Sequence, residues 1–87
     1  MSYRLSITRR AEKEIAGLTP KIRRQVVEKV LTLEVNPRPQ EVKPLKGEQD
    51  AYRVDSGEYR ILFHLDEQTK EVTIFRVKHR RDVYRNL

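Results

Sequence analysis

Eighty-seven residues make a single domain spanning 1–87, and apolar and charged residues each supply only 37% of it, so the core is small and the stability thin. No cysteine is present, which excludes a disulfide framework, thiolate chemistry and a cysteine-based zinc site. Nineteen Lys and Arg against 13 Asp and Glu leave a net charge of +6, a balance that favours an anionic partner such as nucleic acid or an acidic protein. The N-terminal MSYRLSITRR has no long apolar run and no cleavage signature. No stretch approaches the roughly 18 apolar residues of a membrane span. The expectation is a soluble, cytoplasmic protein without membrane contact.

YRLSI (3–7) alternates apolar and polar residues, the period of an edge or half-buried strand. Thr8 is placed to cap a helix carrying Ala11, Ile15 and Leu18 on one face, with Gly17 as its stop. Thr19-Pro20 opens a second helix, where the missing proline N–H costs nothing. It runs to about Val35 with Ile22, Val26, Val30 and Leu33 on one stripe, and NPRP (36–39) ends it. Two helices joined by about three residues predict an antiparallel hairpin. Residues 36–50 read as a loop without periodicity. AYRVD (51–55) and EYRILFHLD (58–66) read as strands around a Ser56-Gly57 turn. EQTK turns into a third strand, EVTIFRVKH (71–79), and RRDVYRNL is long enough for one or two helical turns. The order predicts an α+β domain: an N-terminal strand and an antiparallel helix hairpin packed on a small antiparallel sheet, with a short C-terminal helical turn.

Pairing Asp55 with Glu58, and Asp66 with Glu71, assigns the faces. Tyr59, Ile61, Phe63, Leu65, Val72 and Ile74 then share an apolar side for the helices. Arg53, Arg60, Leu62, His64, Phe75, Val77 and His79 share the other, provided no bulge intervenes. Arg53 directly opposite Arg60 is a like-charge pair, unfavourable unless both are solvated or an anion sits between them. A phosphate takes bidentate hydrogen bonds from guanidinium groups. Residues 76–85, RVKHRRDVYR, hold five Arg or Lys, among them Lys78, Arg80 and Arg81, and extend the cationic face. His79 is a candidate proton carrier near neutrality. Tyr84 either stacks on a base or anchors the terminal turn.

The stretch YRVDSGEYRILFHLDEQTKEVTIFRVKHRRDVYR resembles the second half of the RelE branch of the RelE/ParE toxin superfamily. There, a Y-R strand, a short turn, Y-R with an apolar strand, another strand and H-R-x-D-V-Y recur, and the whole chain fits in element order. The resemblance implies a fold like that of small microbial ribonucleases and cleavage of mRNA in the ribosomal A site, by attack of a ribose 2′-OH on the adjacent phosphate. It implies that Arg60 stabilises the phosphorane, that Arg80 does likewise or donates to the leaving group, that Tyr84 orients the nucleotide, and that Arg53 supplies a basic side chain. Asp55 stands where the best-known member type carries a second lysine, which leaves the general base open, with His79 ahead of His64. Lys43 and Lys46, in the loop before the sheet, are expected to bind ribosomal RNA, as are Lys78 and Arg81 to bind the message.

The expected partners are the ribosome, mRNA and a cognate antitoxin, acidic and partly disordered, that forms a hetero-oligomer with the toxin. No cofactor is expected. Two His without paired carboxylates make a poor metal constellation. Two alternatives stand beside this reading. One is a ParE-type toxin with the same fold acting on DNA gyrase, which has no need of the Arg60–His79–Arg80–Tyr84 set. The other is a non-enzymatic RNA- or DNA-binding module, for which exposed aromatics among the basic residues are the expected signature.

Overall fold

The computed structural model describes residues 2–83. Eight elements follow one another: β1 (Arg4–Ile7), α1 (Arg9–Ala16), α2 (Pro20–Val35), β2 (Lys43–Pro44), β3 (Ala51–Ser56), β4 (Tyr59–Asp66), β5 (Glu71–His79) and α3 (Arg80–Val83). The strands form one sheet in the order β1-β5-β4-β3-β2. β3, β4 and β5 are antiparallel, as expected, and the short β2 pairs antiparallel with β3. β1 joins as a parallel edge on β5, Arg4 opposite Glu71 and Ile7 opposite Ile74, so the sheet is mixed.

Local chemistry sets the helix ends. Thr8 accepts the Ala11 N–H through its hydroxyl at 3.2 Å, relieving one of the unpaired donors of the first turn of α1. The Arg23 guanidinium donates to the carbonyls of Leu18 at 2.9 Å and Ala16 at 3.3 Å, which closes α1 from its own hairpin partner. α2 begins on Pro20 and stops at Asn36, before Pro37.

Both helices pack on one face of the sheet. Ala11, Val26, Val30 and Leu33 meet Val54, Ile61, Phe63, Leu65, Val72, Ile74 and Val77 there, all essentially removed from water. Each fully buried aliphatic or aromatic side chain of this kind contributes about 1.5–3 kcal/mol. A second, smaller cluster of Leu45, Ala51 and Leu62 with Phe75 lies apart from this core.

Three features differ from the sequence expectation. The loop 36–50 is not structureless, since Lys43 and Pro44 pair with Arg53 and Tyr52 as an edge strand. The β3–β4 turn is Gly57-Glu58, flanked by the Ser56–Tyr59 pair. Gly57 takes φ +59, and glycine at the first central position is a favoured pattern of two-residue hairpins. The third feature is a β-bulge in β5. Phe63 opposes Ile74 but Leu62 opposes Arg76, leaving Phe75 as the extra residue. From there on every side chain changes side.

Outside β1, which ends opposite Ile74, the bulged stretch of β5 is held by α1. The Glu14 carboxylate accepts the Val77 N–H at 2.7 Å and the Arg76 Nε at 3.1 Å. Arg76 is consequently buried as an ion pair rather than exposed.

Candidate active site

Hairpin and bulge together redraw the cationic face. The turn moves Arg53 opposite Leu62 and Arg60 opposite Asp55, so the expected Arg53–Arg60 pair does not form. The two arginines keep a common face, because the register moves by an even number of places, and they become diagonal neighbours about 7–8 Å apart. Like charges do face each other, but elsewhere. Lys43 of β2 is directly across from Arg53, and Lys78 of β5 is directly across from Arg60.

Arg60 is the pivot of this face. Its side chain is 13% exposed, and its Nε donates to Asp55 Oδ1 at 3.0 Å, while Asp55 itself is 56% exposed. Across three adjacent strands the row reads Asp55, Arg60, Lys78. The next row reads Lys43, Arg53, Leu62, Arg76. With Lys43, Arg53, Arg60 and Lys78 against Asp55 as the carboxylate in these two rows, the surface carries a net positive charge suited to a phosphodiester.

The bulge removes His79 from the row expected for it. His79 lies opposite Tyr59, its ring edge-on to the tyrosine at 5.4 Å and 77°. Its Nδ1 accepts the Arg81 N–H at 3.1 Å, so the imidazole caps the turn of α3. Val77, also expected beside the arginines, is in the core opposite Ile61. Arg80 donates its backbone N–H to the Glu58 carbonyl at 2.7 Å and makes an exposed 3.4 Å contact with the Glu58 carboxylate. Glu58, His79, Arg80 and Arg81 line an open depression of about 550 Å³ beside the hairpin turn. Lys46 is exposed in the turn after β2. Tyr84 lies outside the described residues. His64 stacks on Phe75 at 4.4 Å and 24° and approaches Glu48 at 3.8 Å, which makes it part of the minor apolar cluster.

Two relations that the sequence did not assign emerge here. Asp55 sits against Arg60, and Lys78, expected only as a binding residue, completes Arg60's other flank. No local pattern signals either relation, since both depend on strand register. Among the described residues no group of three or more His, Cys, Asp or Glu side chains is arranged to hold a metal ion.

A five-stranded sheet with one helix hairpin on one face and clustered cations on strands β2 to β5 defines a small α+β toxin fold. The chain belongs to the family of the ParE toxin of type II toxin–antitoxin systems, whose model matches residues 5–84, and within the RelE/ParE superfamily it is RelE-like. It is 34% identical to toxin RelG of Mycobacterium tuberculosis over 98% of this chain and 99% of that one. The toxin–antitoxin complex RelBE2 of M. tuberculosis superposes with a TM-score of 0.80 at 31% identity, covering 91% of this chain and 99% of that one. The RelE–RelB complex of Pyrococcus horikoshii also gives 0.80, at 30% identity, covering 92% and 97%.

Proposed function

We propose that this RelE-type toxin is a ribosome-dependent mRNA endoribonuclease that stops translation and is neutralised by a cognate antitoxin. The observation that carries the reading is Arg60, largely covered, fixed by an ion pair and flanked by Lys78, Arg53 and Lys43 on one sheet face. Like charges crowded on adjacent strands are unfavourable unless an anion sits among them. A phosphorane, more anionic than the phosphodiester it forms from, gains most from such a cluster.

In this reading Arg60 stabilises the phosphorane. Arg53, Lys43 and Lys78 hold the message. Arg80 and Arg81 take a flanking phosphate at the depression by Glu58, and Tyr84 orients the nucleotide. His79 acts through its hydrogen bond to Arg81, as a positioning residue. Lys46 binds ribosomal RNA. The face has more charge-stabilising groups than proton carriers, so orientation by the ribosome supplies what the free protein lacks.

Primer-extension mapping of mRNA 5′ ends after induction tests the reading. Cuts in codon register on translated messages only are the expected result. Intact messages alongside damaged DNA would favour the gyrase-directed alternative, and rapid cutting of naked RNA would remove the ribosome from the mechanism.

The antitoxin reading has its own surface. Val27, Leu31 and Val35 recur every four residues on the outer side of α2 and are 36%, 51% and 70% exposed. Apolar side chains aligned in this way mark an interaction site, and an amphipathic segment that folds on binding would cover them. The RelBE2 neighbour is a toxin–antitoxin complex and the P. horikoshii neighbour a RelE–RelB complex. Leu31→Asp should reduce capture of the product of the neighbouring small reading frame by at least tenfold in a pull-down, with the cleavage rate unchanged. Equal capture by the variant would move the interface elsewhere.

A further inference from the structure

Attack by a ribose 2′-OH needs a group to remove its proton and a group to protonate the departing 5′-oxygen, on opposite sides of the phosphorus. The sheet offers one such arrangement. Asp55 on β3 and Lys78 on β5 are the cross-strand neighbours of Arg60 on β4. Adjacent strands are about 4.8 Å apart, so the two flanking positions are roughly 9.5 Å apart with Arg60 midway. A phosphate seated on Arg60 has a carboxylate on one side and an ammonium on the other. From backbones so spaced, the carboxylate that already reaches Arg60 at 3.0 Å and the long lysine stem can approach opposite ends of the in-line oxygen–phosphorus–oxygen axis, with a hydrogen bond of about 2.7–3.0 Å at each.

The other candidates fall away on geometry. His79 faces Tyr59 and engages Arg81 through Nδ1. His64 stacks on Phe75. Arg53, like Arg60, carries a guanidinium, which exchanges protons too weakly to serve. Lys43 is across from Arg53, one row removed. Glu58 belongs to the turn and contacts Arg80.

We infer that Asp55 is the general base and Lys78 the general acid of the cleavage step, on either side of Arg60. The inference rests on the ribonuclease reading above and assigns its proton carriers. The Asp55 carboxylate takes the 2′-OH proton as O2′ bonds to phosphorus. The bond from phosphorus to O5′ breaks, and O5′ takes a proton from the Lys78 ammonium. The products are a 2′,3′-cyclic phosphate and a 5′-hydroxyl. Asp55 then releases its proton to water and Lys78 regains one, so no cofactor, oxidant or further reactant enters. The ion pair with Arg60 holds the carboxylate beside the site before the message arrives. An ammonium yields a proton more readily than a guanidinium, which favours Lys78 over Arg80 as the acid.

A purely structural Asp55 leads to a different expectation. Removing its charge would then leave the rate unchanged, or raise it by freeing Arg60 for phosphate.

Single-turnover cleavage on programmed ribosomes decides, at saturating toxin, for wild type, Asp55→Asn and Lys78→Ala. Each is measured on an ordinary message and on one with sulfur replacing the 5′-bridging oxygen at the cut site. Thermal melts confirm that each variant is folded, with Asp55→Glu as the charge-retaining control. A thiolate leaves without a proton, so the sulfur message bypasses the acid alone. We expect Asp55→Asn to be about 10²–10⁴ slower on both messages, and its rate to climb with pH as hydroxide replaces the base. We expect Lys78→Ala to be comparably slow on the ordinary message and close to wild type on the sulfur one. Asp55→Asn cleaving within a few-fold of wild type, or faster, overturns the base assignment. A Lys78→Ala defect that persists on the sulfur message overturns the acid. A wild type that leaves ribosome-bound message intact removes the ribonuclease reading and this assignment with it.

Discussion

On the ribonuclease reading proposed above, Arg60 is the residue at which chemistry and binding can be told apart. A single well-placed donor to transition-state charge is typically worth on the order of 10²–10³ in rate. Arg60→Ala should therefore lose that factor in single-turnover cleavage while ribosome binding falls only modestly, because Lys43, Arg53 and Lys78 remain. Near-wild-type cleavage by the bound variant would take Arg60 out of the site. Lys43→Ala and Lys46→Ala should do the reverse, weakening binding in a salt-dependent manner and sparing the chemical step. Arg60, Arg53 and Lys78 were legible as cations on strands. The partnership of Arg60 with Asp55 was not, because a glycine-led turn at Gly57-Glu58 and one at Ser56-Gly57 suit the same residues and differ only in register. Glu14 was illegible for a related reason: its partner Arg76 is 62 residues away in sequence. Truncating it orphans a mostly buried guanidinium and the Val77 N–H together. Glu14→Ala should cost roughly 2–3 kcal/mol, seen as a drop on the order of 10 °C or more in the thermal midpoint. A melt within a degree or two of wild type would show that water replaces the carboxylate.

At the level of elements, helices and long strands could be read because each repeats its own period over eight or more residues, Val26–Val30–Leu33 on α2 and Tyr59–Ile61–Phe63–Leu65 on β4 among them. β2, at two residues, has no period to detect. The bulge at Phe75 interrupts a pattern that otherwise reads as continuous alternation. That one residue puts Val77 in the core and Lys78 beside Arg60. Deleting Phe75 should restore plain alternation with the same partners, leaving Val77 inward and Lys78 beside Arg60 and removing only the Phe75 ring from the minor cluster. We expect the deletion variant to fold and unfold cooperatively in a thermal melt, at a midpoint lowered by the lost Phe75 packing. A variant without a cooperative transition would show that the bulge itself is required by the Glu14 contacts to Arg76 and Val77. At the start of α1, Thr8→Ala removes the acceptor of the Ala11 N–H and should destabilise by about 1 kcal/mol in denaturant titration.

Over the whole molecule, charge is distributed unevenly. The site carries the excess of cations, whereas Gln49, Asp50, Asp66, Glu67 and Glu71 border an open depression of about 630 Å³ that also includes His64. Glu67 draws distant segments together there. It accepts the Tyr3 hydroxyl at 2.8 Å and lies 3.2 Å from Arg38 and 3.6 Å from Lys70. The tyrosine hydrogen bond, with Lys70 and Arg38 adding to it, holds its carboxyl below the usual carboxylate range. A depressed folded-state value stabilises the fold above the unfolded value of about 4.3 and ceases to do so as pH falls through the folded one. Stability should thus hold across neutral pH and decline on acidification below about pH 4.3. Tyr3→Phe should shallow that acid limb; an unchanged limb would assign it to other carboxylates.

The parallel pairing of β1 with β5 also governs when the protein exists. Residues 4–7 have their sheet partners at 71–74, so the first strand made waits for nearly the last. Synthesis runs from the N-terminus, and contacts this distant in sequence form late. An unfinished chain has no β5 to receive β1, and it also lacks Lys78, Arg80 and Arg81. On the ribonuclease reading proposed above, a nascent copy thus has no assembled site to turn on the ribosome making it, and a chain that stops short of β5 never gains one.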